Sequence, residues 1–284
     1  MNPVAPKEPI ANPVSPADAS AIFARNLSWL FLFIAVASAA LCLAWPHLVS
    51  ANSLNAHWPD ILFLVTCAVS LCLNLARHLP RINVLVVAVI VTIFGGAVEM
   101  IGVQTNLPFG PFQYNRDFDP LLFGLIVLPA PLIWVAMLFA TRGVARLILR
   151  PWRKVTSYGF WLIGVTATLV ILTDVALEPF GSFAHHYWIW EHTKIPLTWY
   201  GAPLVNFLSW GFIALMMLAF TTPLLINKQL SRKNVPDFFP LIIWVLMMVV
   251  FSGAMAEIGA WRGVLVNGVI TAVTVGFALA GSRW

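Results

Sequence analysis

Residues 82–103 read INVLVVAVIVTIFGGAVEMIGV, an apolar run that contains a single ionisable side chain, Glu99. An α-helix needs about 20 such residues to cross the hydrocarbon core of a bilayer. Comparable runs recur along the chain, since 60% of the 284 residues are hydrophobic and 10% are charged. Soluble domains carry roughly 25% charged residues. The sequence therefore predicts an all-α, polytopic integral membrane helix bundle.

Eight apolar runs are predicted to be transmembrane helices, together forming one domain over 27–284. Residues 1–26 are predicted to be a disordered cytoplasmic tail, because their first part is rich in Pro, Ala and Ser and lacks apolar periodicity. The first run is longer than the core of a signal peptide, so we expect it to be retained. The runs cover residues 27–49, 60–76, 82–103, 119–140, 157–178, 203–226, 239–258 and 261–281.

The distribution of positive charge predicts the orientation of these helices. Of the 16 Lys and Arg residues, all but Arg116, Lys194 and Arg262 fall in the tail or in connections on one side of the predicted bundle. Short cytoplasmic loops carry the excess of positive charge in membrane proteins. Both termini are therefore expected to be cytoplasmic. The weakest division is the short turn from Gly259 to Trp261, between the last two runs.

Two longer connections, 104–118 and 179–202, fall on the predicted outer side and are rich in aromatic residues, Pro and Gly. Such segments suit the membrane interface or a lid over a cavity. Both contain Pro-Phe-Gly, and the fragment around Glu99 resembles the one around Glu257. We therefore predict a tandem helix–loop–helix repeat over 82–140 and 157–226.

Carboxyl groups of the predicted helices gather near the outer ends. An ionisable side chain inside a membrane costs roughly 2.5–3.5 kcal/mol on insertion scales and is a functional candidate. Asp174 and Glu178 are four positions apart and share a helix face, so both should not be ionised together. One would then donate a proton and the other accept one, as acid–base catalysis requires. The full set is Glu99, Asp119, Asp174, Glu178 and Glu257.

Several other chemistries are not supported. His185, His186 and His192 lack the spacing of common metal ligands, so we predict no metal site. The three Cys residues lie in apolar runs without a CxxC pair. Nucleotide-binding and serine-hydrolase motifs are absent. The basic residues sit between apolar runs rather than on one face, which argues against a nucleic-acid partner.

Two stretches, which together span about 90–210, resemble a known family and contain its motifs in the same order. It is that of the membrane carotenoid-biosynthesis proteins, which include carotenoid 1,2-hydratases and bisanhydrobacterioruberin hydratases. This chain has Asn106 where the family pattern has Gly, Phe112 where it has Tyr, and Glu178 where it has Asp. The first stretch contains Glu99, Gly102, Thr105, Pro108-Phe109-Gly110 and Tyr114. The second contains Asp174, Glu178-Pro179, Tyr187-Trp188, Trp190, Tyr200-Gly201, Pro203, Asn206-Phe207 and Trp210.

The resemblance implies hydration of a terminal C=C bond of an acyclic carotenoid without a cofactor. Asp174 or Glu99 would donate the proton, Glu178 would activate water, and Glu257 is a further catalytic candidate. The polyene would lie among the helices in a prokaryotic plasma membrane, with its end group towards the outer side. Other carotenoid enzymes are possible partners. The substrate-binding candidates are Phe109, Tyr114, Tyr187, Trp188, Trp190, Tyr200, Asn206 and Trp210.

Three alternatives stay open. A carotenoid end-group cyclase begins with the same protonation and then excludes water. A proton-coupled transporter also holds carboxyls in the membrane, but usually near the midplane with broken helices; Pro129 and Pro131 are the only feature here that resembles such a break. A noncatalytic scaffold for pigment enzymes is the third.

Overall fold

The computed structural model describes residues 16–48, 58–117, 121–191, 197–226 and 235–284. Within these residues, eight helices are long and apolar enough to cross a membrane, which confirms the predicted number. Which side of the membrane holds the termini stays a prediction, as does the tandem repeat. The helices are α1 (Pro16–Leu48), α2 (Trp58–Leu75), α3 (Arg81–Thr105), α4 (Ala130–Ile148), α5 (Tyr158–Glu178), α6 (Leu204–Thr221), α7 (Phe239–Glu257) and α8 (Trp261–Ser282).

The first helix begins earlier than its apolar run. The structure starts α1 at Pro16, so residues 16–26, assigned to the disordered tail from composition, are helical. Proline is well tolerated in the first turn of a helix, where its missing N–H has no partner to lose. Residues 1–15 of the predicted tail lie outside the described part of the chain.

The fourth helix begins later than predicted, at Ala130 instead of residue 119. Before it, β2 (Leu121–Leu122) and β3 (Ile126–Val127) form a short antiparallel hairpin. Two prolines, Pro129 and Pro131, occupy the start of α4 rather than its interior. Because proline inside a helix removes a hydrogen bond and clashes with the preceding turn, this pair sets the start of the helix and does not break a span.

Three other helices, α3, α5 and α7, each end in a different way. Asn106 ends α3 with a φ of 62°, a left-handed conformation that Asn tolerates better than most residues. Asn is thus a workable replacement for the Gly of the family pattern. Gly259, with a φ of 72°, separates α7 from α8 at the turn that was hardest to predict. At the end of α5, the chain continues into one π-helical segment, Pro179–Ala184.

The core of the bundle lies around α4. This helix is the most buried of the eight spans, at 72%, and it contacts α2, α3, α5, α7 and α8. By contrast, α8 is 22% buried and exposes large apolar side chains such as Leu265, Val269 and Phe277. A helix with apolar side chains on its outer face needs an apolar surrounding, which a bilayer provides.

Strands at one end of the bundle join the two aromatic loops. β1 (Phe112–Tyr114), from the loop after α3, pairs antiparallel with β4 (Trp188–Trp190), from the loop after α5. We call this pair the ribbon. In its register Phe112 lies opposite Trp190 and Tyr114 opposite Trp188. A second hairpin, β5 (Thr198–Trp199) with β6 (Ala202–Pro203), leads into α6. The ribbon thus brings the ends of α3 and α5 to one place, the loop end of the bundle.

Candidate active site

A small cavity lies beneath the ribbon, between α3, α4, α5 and α6. Its volume of about 20 Å³ gives room for about one water molecule. Two of its polar walls are the carboxyl groups of Glu99 and Glu178, and most of the rest is aromatic. The lining residues are Glu99, Phe109, Phe112, Tyr114, Ala130, Ile133, Leu177, Glu178, Trp188, Trp190, Asn206 and Trp210.

Glu99 enters the cavity from the last turns of α3. It is 5% exposed, and each of its oxygens accepts one hydrogen bond. The indole N–H of Trp134 donates to Oε1 at 3.2 Å, and the hydroxyl of Tyr114 donates to Oε2 at 3.0 Å. Trp134 in turn stacks on Trp210, with ring centroids 3.8 Å apart. Helix α4 and the ribbon therefore both hold Glu99 in place.

Glu178 enters the same cavity from the end of α5 and accepts three hydrogen bonds. Its Oε2 atom receives the indole N–H groups of Trp188, at 3.1 Å, and Trp190, at 2.8 Å. Its Oε1 atom receives the amide of Asn206 at 2.9 Å. All of these donors are N–H groups, which can donate and cannot accept. The surroundings of Glu178 are thus arranged for a carboxylate anion.

Asp174 lies behind Glu178 rather than in the cavity wall. The amide of Asn206 that holds Glu178 also donates to Oδ2 of Asp174 at 2.9 Å. The other oxygen, Oδ1, is buried and has no hydrogen-bond partner within the described residues. Two buried carboxyls that share one amide repel each other when both are ionised, so the pair is arranged to hold one proton.

The charge balance of the cavity is unusual for a buried site. Within the described part of the chain, no Lys, Arg or His side chain forms an ion pair with Glu99, Asp174 or Glu178. Their partners are neutral N–H and O–H groups. Burial, together with the neighbouring Glu99, raises the pKa of Tyr114 well above its ordinary value, so its phenol stays protonated. Such a site can store protons and leaves its negative charge available to a cationic group.

Close approach of the aromatic rings requires glycine at two positions. A Cβ atom at Gly181 would collide with the indole of Trp188. At Gly102 a Cβ would lie 2.7 Å from the ring of Phe109, which is closer than real Cβ contacts. Both glycines therefore let the cavity wall close against the ends of α3 and α5.

Some predicted site residues lie elsewhere. Tyr187 points away from the cavity and donates its hydroxyl to Asp60 at 2.7 Å. Tyr200 receives the backbone N–H of Gly263 at 3.1 Å, at the start of α8. Glu257, placed with the other carboxyls in the sequence analysis, instead lies 3.4 Å from His47 at the end of α1. Asp119 and His192 lie outside the described residues.

Sequence reasoning missed Trp134 and Asp60. Trp134 sits in an apolar run and reads as a core residue, yet an indole N–H in a dry interior must find an acceptor. That requirement is the sequence signal by which Trp134 could have been linked to a buried carboxyl. Asp60 falls at the first position of the predicted second helix, where a carboxyl normally reaches water. In the described part of the chain, no three His, Cys, Asp or Glu side chains are grouped to hold a metal ion.

Comparisons with known proteins agree with the resemblance drawn from the motifs. A family model described as "Carotenoid biosynthesis protein" matches residues 59–275. The bisanhydrobacterioruberin hydratase of Haloarcula japonica is 29% identical over 135 residues, which are 46% of this chain and 43% of that protein. The match thus spans less than half the length of this relative. No solved structure matches the chain significantly. Since the family model covers most of the sequence and all the residues that line the cavity, the chain belongs to the carotenoid biosynthesis protein family and has a role in that biosynthesis.

Proposed function

We propose that this protein hydrates a terminal C=C bond of an acyclic carotenoid, using the cavity beneath the ribbon. The observation that carries the proposal is the composition of that cavity: room for about one water, two carboxyls in its wall, and aromatic rings around them. The name of the Haloarcula japonica relative, a hydratase of a carotenoid, supports the same reaction. The prokaryotic plasma membrane and other carotenoid enzymes as neighbours are part of the proposal.

Glu99 is the proton donor in this proposal. Its partner is the hydroxyl group of Tyr114, whose O–H bond can rotate so that its oxygen accepts a hydrogen bond when Glu99 carries a proton. The N–H groups around Glu178 have no such freedom. Glu99 transfers its proton to the less substituted carbon of the terminal C=C bond, and the π electrons of that bond form the new C–H bond. A tertiary carbocation remains on the adjacent carbon.

Aromatic faces stabilise this cation. Phe109, Phe112, Trp190 and Trp210 line the cavity, and the face of an aromatic ring attracts a cation by about 0.5–2 kcal/mol, the larger value applying where water is excluded. The surplus of carboxyl groups, which have no cationic partners within the described chain, adds to the effect. The carbocation thus supplies the positive charge that these carboxyl groups lack.

Glu178 is the base that activates water. The oxygen of a cavity water adds to the cation while Glu178 removes one of its protons, which yields a tertiary alcohol. Asp174 shares the Asn206 amide with Glu178 and holds the one proton of the pair at rest, so Glu178 is ionised and able to act as the base. The proton that Glu178 gains returns to Glu99 through the next water that fills the cavity, which restores the starting state. The reaction consumes one water and needs no redox partner.

A branched isoprenoid end group is several times larger than a water molecule, so the cavity must open to admit it. The polyene would lie between apolar helices, and its end group would reach the cavity at the loop end. Motion of the ribbon, which forms one wall, would supply the opening.

Expression in a host that accumulates lycopene, followed by mass-resolved pigment analysis, tests the proposal. We expect products heavier by one or two waters. Glu99→Gln and Asp174→Asn variants, expressed to the same level, should lose that product, because each removes a proton site while conserving shape. Bisanhydrobacterioruberin should be offered in parallel.

The outcomes separate the alternatives. An isomer of unchanged mass would favour a cyclase, which shares the protonation step but excludes water. If both polyenes stay unchanged, hydration of these end groups is ruled out. A hydrated product that persists in Glu99→Gln would assign the proton donor elsewhere.

A further inference from the structure

We propose that Asp60 is a positioning residue for this reaction, because it fixes the ribbon over the cavity through Tyr187. The inference rests on the proposed hydration and adds a residue from α2, a helix that contributes nothing to the cavity wall. Asp60 acts without touching the cavity.

Asp60 makes two short polar contacts beside the ribbon. Its Oδ2 atom accepts the hydroxyl of Tyr187 at 2.7 Å and lies 2.6 Å from Nδ1 of His185. The side chains of Asp60 and His185 are only 12% and 17% exposed. Burial and the neighbouring Asp60 raise the pKa of Tyr187 well above its ordinary value, so Tyr187 stays a hydrogen-bond donor. Partly buried contacts of this kind to a charged group contribute more than neutral ones.

Tyr187 connects these contacts to the backbone of the site. Its N–H donates to the carbonyl of Gly181 at 2.7 Å, and its carbonyl accepts the N–H of Asn115 at 3.0 Å. It thus ties the π-helical segment after α5 to the end of β1. Fixing the phenol on Asp60 fixes the strand that begins at the next residue, Trp188.

The ribbon register passes this positioning on to both cavity carboxyls. Trp188 donates to Glu178, and Tyr114, directly opposite it in the ribbon, donates to Glu99. A shift at Tyr187 therefore moves donors to the proposed acid and the proposed base together. Among the described segments, the ribbon is the one that carries donors to both groups.

The surroundings of Asp60 suit a fixed contact rather than a second binding site. A cavity of only about 10 Å³ lies beside it, at the lower limit for holding a water. Glu257 also borders this cavity but pairs with His47. Within the described residues, His185 is thus the basic partner of Asp60, and the pair anchors the ribbon to α2.

Loosening this anchor should change the fate of the carbocation. When Glu178 and its water are misaligned, the cation gives a proton from a neighbouring carbon back to the Glu99 carboxylate and becomes an alkene again. In D2O the acid delivers a deuteron first, so a failed hydration leaves deuterium in the recovered polyene whenever the proton lost is not that deuteron. The ratio of deuterated alkene to hydrated product therefore measures how well the water is positioned, and it is independent of how much protein is folded.

The test uses the full-length protein in lipid nanodiscs in D2O, with lycopene and bisanhydrobacterioruberin as probes. Tyr187→Phe should raise the ratio of deuterated alkene to hydrated product about tenfold, as expected for loss of one hydrogen bond to a charged group. Asp60→Asn replaces the charged acceptor and should raise the ratio in the same direction. The two effects should not add in the double variant, since both changes act on the Asp60–Tyr187 hydrogen bond. Asp237→Asn is the matched control: Asp237 is hydrogen-bonded to Asn74 of α2 at 2.7 Å, far along the helix from the ribbon, and its loss should leave the ratio unchanged.

Two results would overturn the inference while hydration stands. Exchange and hydration could fall in proportion at a constant ratio, which would mean that Asp60 only supports folding. Alternatively, the amounts of exchange and of hydration could both match wild type in the two variants, and then Asp60 has no role. If Asp60→Asn does not fold, Tyr187→Phe decides alone. Wild-type protein that gives neither product nor exchange would refute the proposed function itself, and the inference with it.

Discussion

Two polar clusters lie at the loop end of the bundle, and they differ in the chemical type of their partners. Glu99, Asp174 and Glu178 accept hydrogen bonds from neutral indole, phenol and amide groups. Asp60 instead lies 2.6 Å from the imidazole of His185. The carboxyls of the first cluster have no basic side chain at hydrogen-bond distance within the described residues, whereas Asp60 has a basic side chain and a phenol fixed against it. The difference assigns proton transfer to the first cluster and anchoring to the second.

Apart from the Glu99 and Asp174 variants above, the largest effect should come from Glu178→Gln. The variant removes the proposed base, and general-base catalysis contributes about 10²–10⁴-fold in rate. The new amide also has to present its oxygen to Trp188 and Trp190, which leaves its NH2 group facing the Asn206 amide. We expect the hydration rate in nanodiscs to fall by about that factor, measured as hydrated product per folded protein.

Glu178→Asp sharpens this test. The family pattern has Asp at this position, so the shorter carboxylate should keep part of the activity that Gln loses. If Glu178→Gln is as active as wild type, Glu178 is not the base, and the proposed difference in role between the two clusters is wrong.

The fold was largely predictable because membrane helices follow from single local patterns. About 20 apolar residues form a span wherever they occur, and the runs containing Glu99 or Gly268 needed no long-range information. Errors arose where local chemistry opposed hydropathy. Residues 121–129 are apolar enough for a helix, yet Pro129 and Pro131 delay it to Ala130.

The candidate site was only partly predictable, because its assembly depends on contacts between distant segments. Glu99 and Glu178 were recognisable as carboxyls in apolar runs, but the pairing of Phe112 with Trp190 across the ribbon has no local signal. The spacing of Asp174 and Glu178 predicted that they share a face. It did not reveal that Asn206 bridges them, or that Asp174 lies outside the cavity wall.

An intermediate effect is expected for Trp190→Phe. The variant keeps an aromatic face in the cavity and removes the N–H group that donates to Glu178 at 2.8 Å. Loss of one hydrogen bond to a charged group costs about 1.5–3 kcal/mol, which corresponds to a fall in hydration rate of about tenfold or more. The same polyene assay measures it.

Trp199→Phe is the matched control for this change. The indole of Trp199 donates at 2.9 Å to a backbone carbonyl, that of Val175, and not to a cavity carboxyl. Equal losses in the two variants would show that any buried indole N–H at the loop end matters, and the neutral donors of the first cluster would then have no special role.

The smallest effect is expected for Glu257→Gln, the residue that the repeat pattern grouped with Glu99. Its carboxylate faces His47 near the surface, and exposed ion pairs contribute about 0–1 kcal/mol. We therefore expect a hydration rate within about twofold of wild type. A loss as large as that of Glu178→Gln would mean that Glu257 reaches the substrate when the ribbon opens. Glu257 would then take part in the chemistry, and its position away from the cavity would describe only the closed state of the protein.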